Sequence, residues 1–259
     1  TGLDVDVCRA IAASVLGDAT KVKWVPLNAQ QRFTALQSGE IDILSRNTTF
    51  TLTRDASLGL NMTAVTYYDG QGFMVPKRLK VRSAKQLNNA AICVQSGTTT
   101  EKNLNDYFRA LKLKYKPVVF EGFEASFKAF FAGRCQAYTT DASGLASIRN
   151  KEAQNPDDYL ILPEIISKEP LGPMVRRGDD EWFAIAKWVI YALLEAEEYG
   201  VTQANVDQMK ATDNPAVQRI LGTSEDSGKL LGLDRDWAYR AVKAVGNYGE
   251  VFERNVGPK

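Results

Sequence analysis

The feature that most constrains the fold is a repeated alternation of short apolar strand segments with longer helical segments. The N-terminal part predicts, in order, a helix, a strand, a helix and a strand at Asp4–Gly17, Val22–Pro26, Ala29–Gly39 and Ile41–Leu44. Strands followed by helices return in the middle of the chain, at Ala91–Val94, Pro117–Phe120 and Cys135–Tyr138. From about Asp179 onward the pattern is helical. This rhythm predicts an α/β fold in which a mostly parallel sheet is covered by helices.

Two segments share the same order of features, which suggests two lobes of one design. Phe33–Asn47 aligns with Phe127–Asp141, and each contains a helix, a glycine, a strand and a polar end. The identity between the segments is too low to establish a duplication. Ligands of open α/β sheets bind beyond the carboxyl ends of the strands. We therefore expect Asn47 and Asp141 to lie on opposite walls of a cleft between the lobes.

The connections between the expected lobes are extended and contain glycine or proline. Thr66–Lys77 carries the chain from the first lobe to the second, and Ile165–Asp179 carries it back, as two hinge strands would. The first lobe is expected to comprise residues 1–72 and 173–259, and the second lobe residues 73–172.

Composition excludes several classes of function. The chain has no histidine, which excludes histidine-based nucleophilic catalysis and histidine-ligated metal sites. Its formal net charge is +1, so that no nucleic-acid partner is implied. Apolar runs such as Phe183–Leu194 contain a lysine and are too short to span a membrane. Nothing in the pattern implies a cofactor or a metal ion.

The three cysteines leave two interpretations open. Cys93 and Cys135 both stand at the beginning of predicted strands that could be neighbours in one sheet. A disulfide between them would indicate an oxidising compartment, whereas unpaired they would be small buried apolar residues. Cys8 is left over in either interpretation.

Polar residues with the chemistry of an anion site follow the predicted strands. Ser45–Arg54 reads SRNTTFTLTR, in which Thr49 and Arg54 offer a hydroxyl and a guanidinium group. Ser96 and Thr98 stand at the start of a predicted helix, where backbone N–H groups favour anions. Asp141 offers a negative charge for an ammonium group. Together these groups indicate a site for a zwitterion such as an α-amino acid.

Each piece of this site also has a purely structural interpretation. Arg54 could form a surface ion pair with Asp55. Thr98 could serve only to cap its helix, in a capping box with Glu101. Asp141 precedes a predicted helix and could be only its N-cap.

Several stretches, taken in combination, resemble the periplasmic amino-acid-binding proteins of ABC importers, which form family 3 of the bacterial solute-binding proteins. They cover nearly the whole chain: GLDVDVCRAIA, QRFTALQSGEIDILSRNTTFTLTRD, YYDGQGFMV, CVQSGTTTE, GRCQAYTTD, LPEIISKEPLGPMVRRGDDEWF and VGNYGEVFERNVG. The similarity is greatest to the branch that serves general L-amino acid uptake, with the glutamate/aspartate-binding proteins as relatives. It implies a two-lobe periplasmic-binding-protein-like fold of type II.

The resemblance also implies a role for each candidate residue. Arg54 and Thr49 would hold the α-carboxylate of the ligand, with Thr98 and Ser96 as donors from the second lobe. Asp141 would bind the α-ammonium group, and the backbone carbonyl of Asn47 would join it.

Arg32 matches a pocket arginine of the relatives that bind acidic amino acids. In that role it would favour glutamate, aspartate or their amides. The alternative is a charge on the surface of its helix.

The resemblance implies a first strand and a ligand-contacting loop ahead of Gly2, and a short tail beyond Lys259. The chain is therefore expected to be truncated, with the central strand of the first lobe missing. The lost strand could hold a partner for Cys8; a lone structural thiol is the simpler alternative.

The expected protein is a monomer in the periplasm that binds a free L-amino acid and delivers it to an ABC permease. It would not be an enzyme. The runner-up is a cyclohexadienyl dehydratase-like enzyme on the same fold, which needs a second acid in the pocket. No further acid is found at the predicted strand ends after Asp141 is assigned, which disfavours this alternative. A ligand-binding module of a signalling protein is a third alternative.

Overall fold

The computed structural model describes residues 2–257 and divides into two compact units. Unit 1 comprises the segment before Pro26, Gly39–Thr66 and the segment from Gly172 onward. Unit 2 comprises Pro26–Ser38 and Tyr67–Leu171. The two expected lobes, with boundaries at 72 and 173, stay a prediction.

The described residues form eleven α-helices and nine β-strands. The helices are α1 (Leu3–Leu16), α2 (Gln31–Ser38), α3 (Leu52–Ser57), α4 (Thr99–Ala110), α5 (Phe123–Phe131), α6 (Ala142–Glu152), α7 (Asp180–Glu198), α8 (Val206–Met209), α9 (Pro215–Ile220), α10 (Trp237–Val245) and α11 (Tyr248–Asn255). The strands are β1 (Leu60–Met62), β2 (Tyr67–Asp69), β3 (Gln71–Pro76), β4 (Ala91–Gln95), β5 (Lys116–Phe120), β6 (Ala137–Asp141), β7 (Tyr159–Ile161), β8 (Glu169–Leu171) and β9 (Met174–Arg176).

Unit 2 is built on a five-stranded sheet with the order β5-β4-β6-β3-β7. Strand β4 runs parallel to β5 and β6, and β3 runs antiparallel to β6 and β7. Four strands therefore share one direction and β3 opposes them, which confirms the mostly parallel sheet. The chain enters β6 two residues later than predicted, so Cys135 precedes the strand and Asp141 ends it.

Side chains of this sheet alternate between two apolar cores, as the two-residue period of a strand requires. Phe73 and Val94 pack in one core with α4 residues such as Phe108. Met74 and Cys93 pack in the other, with α5 and α6. Because both faces are covered, every residue of β3 is buried. The structure joins Cys93 to Cys135 in a disulfide within the second core.

Unit 1 has a helical core. Residues of α1, α7, α10 and α11 pack together around Val189, Ile190 and Val242, all at most 1 % exposed. Helix α1 ends at Gly17, whose φ of 70° is the left-handed conformation that favours glycine at a helix end. None of the helices in the part of the chain that the structure describes is long and apolar enough to cross a membrane.

Two predicted strands of unit 1 differ from the structure. Val22–Pro26 is irregular, and Trp24 is 49 % exposed. A strand needs a hydrogen-bonded neighbour, and none of the strand pairs among the described residues includes this segment. Ile41–Leu44 contributes only one antiparallel bridge, in which Leu44 exchanges both hydrogen bonds with Met174 at 2.9 Å. The regular pair in this unit is β1 with β9, which is antiparallel.

The two segments expected as hinge strands do pair with each other. β2 runs antiparallel to β8, with Tyr67 opposite Leu171 and Asp69 opposite Glu169. Besides the segment Pro26–Ser38, the chain passes from unit 1 to unit 2 at the start of β2 and returns after β8.

Candidate functional site

Thr49 lies on a loop of unit 1, and Arg54 lies in the short helix α3 that follows this loop. The hydroxyl of Thr51 accepts a hydrogen bond from the backbone N–H of Arg54 and so caps α3. The Arg54 guanidinium donates through Nη1 to the backbone carbonyl of Thr49 at 2.8 Å. Both side chains are buried, with Arg54 8 % and Thr49 4 % exposed. The loop therefore holds a buried cation in a fixed position beside a buried threonine.

The proposed surface ion pair between Arg54 and Asp55 is wrong. Arg54 is buried, whereas Asp55 is partly exposed and lies 3.5 Å from Arg177. An exposed pair of this kind contributes little to stability. The structural alternative for Arg54 thus fails because its side chain is buried, whereas a surface ion pair needs it exposed.

Asp4 is a residue of this region that the sequence analysis missed. Its carboxylate accepts hydrogen bonds from the Ser45 hydroxyl at 3.1 Å and from the Asn47 backbone N–H at 3.0 Å. Asn47 is exposed and has a φ of 23°, in the left-handed region that asparagine tolerates better than most residues. Asp4 therefore fixes the strained turn that precedes Thr49. In the sequence it was only an acid in the first turn of a helix.

Cys8 lies near this turn and is a free, buried cysteine. Burial is the main cause that raises the pKa of its thiol to about 12, and a hydrogen bond with Ser45 acts in the opposite direction. The thiol is therefore protonated at neutral pH.

Thr98 caps helix α4 in unit 2. Its hydroxyl accepts from the Glu101 backbone N–H at 3.1 Å and donates to the Gln95 carbonyl at 2.7 Å. The capping box predicted with Glu101 is only half formed, because the Glu101 carboxylate accepts from the N–H of Gly97 and not from that of Thr98. The Thr98 side chain thus serves the cap. The groups with which this turn can hold an anion are backbone N–H groups, which the first turn of a helix leaves without intrahelical partners.

Ser96 is bound to the end of strand β5. Its backbone N–H donates to the Phe120 carbonyl at 2.9 Å, and its hydroxyl donates to the same oxygen at 3.3 Å. The side chain is 8 % exposed. Ser96 therefore anchors the turn before α4 to the sheet.

Asp141 occupies the N-cap position of α6 but its side chain makes no capping hydrogen bond. Asp69 of β2 takes that role, since its carboxylate accepts from the Ser143 hydroxyl and from the Ser143 backbone N–H. The Gly70 carbonyl accepts from the Ala142 N–H at 2.8 Å. Asp141 is only 6 % exposed. The interpretation of Asp141 as nothing more than a helix cap is therefore wrong.

Arg32 is buried in helix α2, with 2 % of its surface exposed, so the interpretation as a helix-surface charge is wrong. Its guanidinium carbon lies 4.9 Å from the ring centroid of Phe33. The start of α2 also lies against the turn before α4, because a Cβ added to Gly97 would come within 2.6 Å of the Gln30 side chain. Gly97 has a φ of 72°, which also favours glycine.

A second buried acid of unit 2 was missed. Glu169, the first residue of β8, is 2 % exposed. Its carboxylate accepts from the hydroxyls of Thr99 and Ser167 at 2.9 and 2.6 Å and from the side-chain amide of Asn103 at 2.8 Å. The expectation that no further acid stands at a strand end is therefore wrong. A signal was present in the sequence, since Glu169 lies in the segment expected as a hinge strand.

The candidate residues thus divide into two groups, one in each unit. Asn47 and Thr49 lie on one loop of unit 1, and Arg54 lies in α3, which follows that loop. In unit 2, Ser96 and Thr98 lie at the start of α4, and the loop before Arg32 lies against the same turn. Within residues 2–257, no group of three or more acidic or cysteine side chains is arranged to hold a metal ion.

Comparison with known proteins identifies the family. The model of the bacterial extracellular solute-binding proteins, family 3, matches residues 1–205. The chain belongs to this family of solute-binding proteins. It is 62 % identical, over 99 % of its length and 75 % of the relative's, to the general L-amino acid-binding periplasmic protein AapJ of Rhizobium johnstonii.

Two further proteins are similar to this solute-binding protein over nearly its whole length. The glutamate/glutamine/aspartate/asparagine-binding protein BztA of Rhodobacter capsulatus is 58 % identical, over 99 % of this chain and 76 % of the relative. A periplasmic binding protein from Brucella ovis, solved with glutathione bound, superposes with a TM-score of 0.96 and 57 % identity. That superposition covers 100 % of this chain and 82 % of the Brucella protein. The expected family and fold are therefore confirmed.

Proposed function

We propose that this solute-binding protein binds a free L-amino acid in the periplasm and delivers it to the membrane permease of an ABC importer. One observation carries the proposal: each unit holds a buried charge of opposite sign, Arg54 in unit 1 and Asp141 in unit 2, both less than 10 % exposed. A zwitterion is the ligand class that carries a charge complementary to each of them. The names of the relatives support the same class.

The proposal assigns the candidate residues to the two charged ends of the ligand. Arg54 and Thr49 bind the α-carboxylate of the ligand, and the backbone N–H groups at the start of α4, held by Ser96 and Thr98, bind the same carboxylate. Asp141 accepts from the α-ammonium group, together with the backbone carbonyl of Asn47. Charge-assisted hydrogen bonds of this kind are about twice as strong as neutral ones.

Arg32 extends the proposal to the side chain of the ligand. A buried guanidinium donates to a carboxylate or amide oxygen, which favours glutamate, aspartate, glutamine and asparagine. The name of the Rhodobacter capsulatus relative supports this set.

Glutathione is a second candidate ligand, because the Brucella ovis structure contains it. Its γ-glutamyl end carries a free α-carboxylate and a free α-ammonium, like an amino acid, and its first amide corresponds to the side-chain amide of glutamine. The same groups of Arg54, Thr49 and Asp141 would therefore bind it. The tripeptide needs more space beyond the amide than glutamine does.

The test is isothermal titration calorimetry with the twenty amino acids and glutathione. We expect binding of at least one of them, and loss of binding in Arg54→Ala and Asp141→Ala. Removing one partner of a buried charge pair costs about 3–5 kcal/mol, which is more than a hundredfold in affinity. Arg177→Ala and Asp106→Ala remove exposed charges from the same two units and serve as matched controls. Unchanged affinity in either buried variant contradicts the proposal.

The enzymatic alternative is tested separately, because a buried acid such as Glu169 is compatible with acid catalysis. The protein is incubated with prephenate and with arogenate, and the product is followed by absorbance and mass spectrometry. We expect no turnover.

Two further experiments test the remaining parts of the proposal. Size-exclusion chromatography with light scattering tests whether the protein is a monomer. Uptake of labelled amino acid by cells with and without the gene tests delivery to a permease.

A further inference from the structure

We propose that Glu169 is a positioning residue, which holds the first turn of helix α4 in the geometry that binds the ligand. The inference rests on the proposed function of that turn as an anion site. Glu169 is not one of the residues to which that function assigns a contact with the ligand.

The contacts of Glu169 reach two successive turns of α4. Its Oε2 accepts from the Thr99 hydroxyl in the first turn, at 2.9 Å, and its Oε1 accepts from Asn103 one turn later, at 2.8 Å. Because these residues are four apart, they lie on the same face of the helix. One carboxylate on strand β8 therefore fixes both the position and the rotation of the helix end.

The same carboxylate is connected to the strand that neighbours β6. Ser167 donates to Glu169 Oε1 at 2.6 Å and accepts from the Gln71 backbone N–H at 3.1 Å. The Gln71 side-chain amide donates to the Thr100 carbonyl at 3.0 Å and to the Thr139 hydroxyl at 2.9 Å. These bonds join β8, β3, α4 and β6, the strand that ends in Asp141. The two groups of unit 2 assigned to the ligand are thus held in one network.

The charge of Glu169 also sets the direction of the Thr99 hydroxyl. A hydroxyl has one proton, and the carboxylate accepts it, since an ionised carboxylate can only accept. The Thr99 oxygen then offers only lone pairs to other groups. Replacing Glu169 by glutamine reverses this bond: the glutamine Nε2 donates to Thr99, while its Oε1 still accepts from Asn103 and Ser167.

The experiment compares Glu169→Ala, Glu169→Gln and Thr99→Val in the full chain, by calorimetry with L-glutamate and L-glutamine. We expect Glu169→Ala and Thr99→Val each to weaken binding about tenfold, because each leaves polar groups without their partner. Glu169→Gln is expected to restore affinity to within about threefold of the wild type, because its amide can satisfy the same three groups. Glu164→Gln, a partly buried carboxylate that accepts from the Ser83 hydroxyl and not from Thr99 or Asn103, is the matched control and should bind as the wild type does.

A double-mutant cycle separates positioning through Thr99 from general destabilisation. If Glu169 acts through Thr99, the double variant Thr99→Val/Glu169→Ala binds about as weakly as either single variant. Independent, multiplying losses overturn the proposal, and so does wild-type affinity in Glu169→Ala.

Hydrogen exchange distinguishes failure of this inference from failure of the proposed function. We expect faster amide exchange in Thr99–Ala110 of Glu169→Ala, and wild-type exchange in Glu169→Gln and Glu164→Gln. If the wild type binds neither L-glutamate nor L-glutamine, the ligand preference proposed for Arg32 is contradicted, and the exchange of α4 alone decides the positioning. Unchanged exchange in Glu169→Ala overturns it.

Discussion

The two groups of candidate residues are held in place by different means. In unit 1, Asn47 and Thr49 lie on an irregular loop, and Arg54 lies in the short helix α3 that follows it. Hydrogen bonds of side chains, among them those of Asp4, hold this region in place. In unit 2, Ser96 follows β4 and Asp141 ends β6, and both strands belong to a sheet with an apolar core on each face. Hydrogen bonds of side chains fix the loop, whereas strand pairing and apolar packing fix the strand ends. Replacing a single polar side chain in unit 1 should therefore change only the geometry of its loop. In unit 2, the geometry of the strand ends should change mainly when the residues that pack or bond against them are replaced.

The largest effect on ligand affinity is expected for Asp141, which is compared with Asp69, the residue of β2 that caps α6. Asp141→Ala should reduce ligand affinity more than a hundredfold, with a small change in stability, because its side chain does not cap the helix. Asp69→Ala should do the reverse and lower the free energy of unfolding by about 1 kcal/mol, because Asp69 is the cap. Calorimetry and urea denaturation measure the two effects. If both variants lose the same affinity and the same free energy of unfolding, the assignment of Asp141 to the ligand and of Asp69 to the helix cap is wrong.

The second prediction concerns the disulfide that supports unit 2. Cys93→Ala/Cys135→Ala opens a link across 42 residues of sequence and should lower the free energy of unfolding by about 2–4 kcal/mol. Mass spectrometry with and without reductant first verifies the bond, and two alkylatable thiols at these positions in the untreated protein would refute it. Cys8→Ala serves as the control for loss of a buried cysteine. Affinity at low temperature should change little.

The third prediction concerns the loop of unit 1. Asp4→Ala removes the acceptor of Ser45 and of the Asn47 N–H, so the turn before Thr49 should loosen and ligand affinity should fall about tenfold. Asp4→Asn keeps one acceptor oxygen and should lose less. The unfolding midpoint should shift by only a few degrees. Titration calorimetry checks that ligand affinity falls in the order wild type, Asp4→Asn, Asp4→Ala. Full affinity in Asp4→Ala would contradict the role of Asp4 in holding the turn.

The smallest effect is expected for Cys8. The pKa of its thiol is raised from 9.0 to about 12, so above pH 9 the unfolded chain loses this proton while the folded protein keeps it. Stability from this group is present below pH 9 and is lost as the pH rises toward 12. Cys8→Ala should therefore flatten the fall in stability over this range, as measured by urea denaturation. The folded wild type should also resist iodoacetamide at neutral pH, and rapid labelling would contradict the protonated, buried thiol.

The sequence predicted unit 2 better than unit 1, for a physical reason. The strands of unit 2 find partners within the described chain, so apolar pattern and structure agree. Val22–Pro26 has the same apolar pattern, but no strand among the described residues pairs with it. A strand forms only where a second strand accepts and donates its backbone hydrogen bonds, and the pattern of one segment does not show whether that second strand exists.

The candidate site was predictable in residue type but not in hydrogen-bond partner. Thr98 was expected either to bind ligand or to cap, and the geometry commits its hydroxyl to the cap. Asp141 was expected either to cap or to bind, and Asp69, which is distant in sequence, takes the cap. Glu169 and Asp4 were missed because their function follows from partners far along the chain, which no local spacing encodes.

The central claim is that Asp141 binds the ammonium group of a zwitterion whose carboxylate is bound by Arg54. It is tested most directly by a thermodynamic cycle that combines one change in the protein with one change in the ligand. Wild type and Asp141→Ala are titrated with L-glutamine and with its analogue lacking the α-amino group. We predict that removing Asp141 and removing the amino group each weaken binding more than a hundredfold. Both changes together should cost little more than one, since the same interaction is lost. If Asp141→Ala weakens binding of the two ligands by the same factor, Asp141 does not bind the ammonium group and the claim is contradicted.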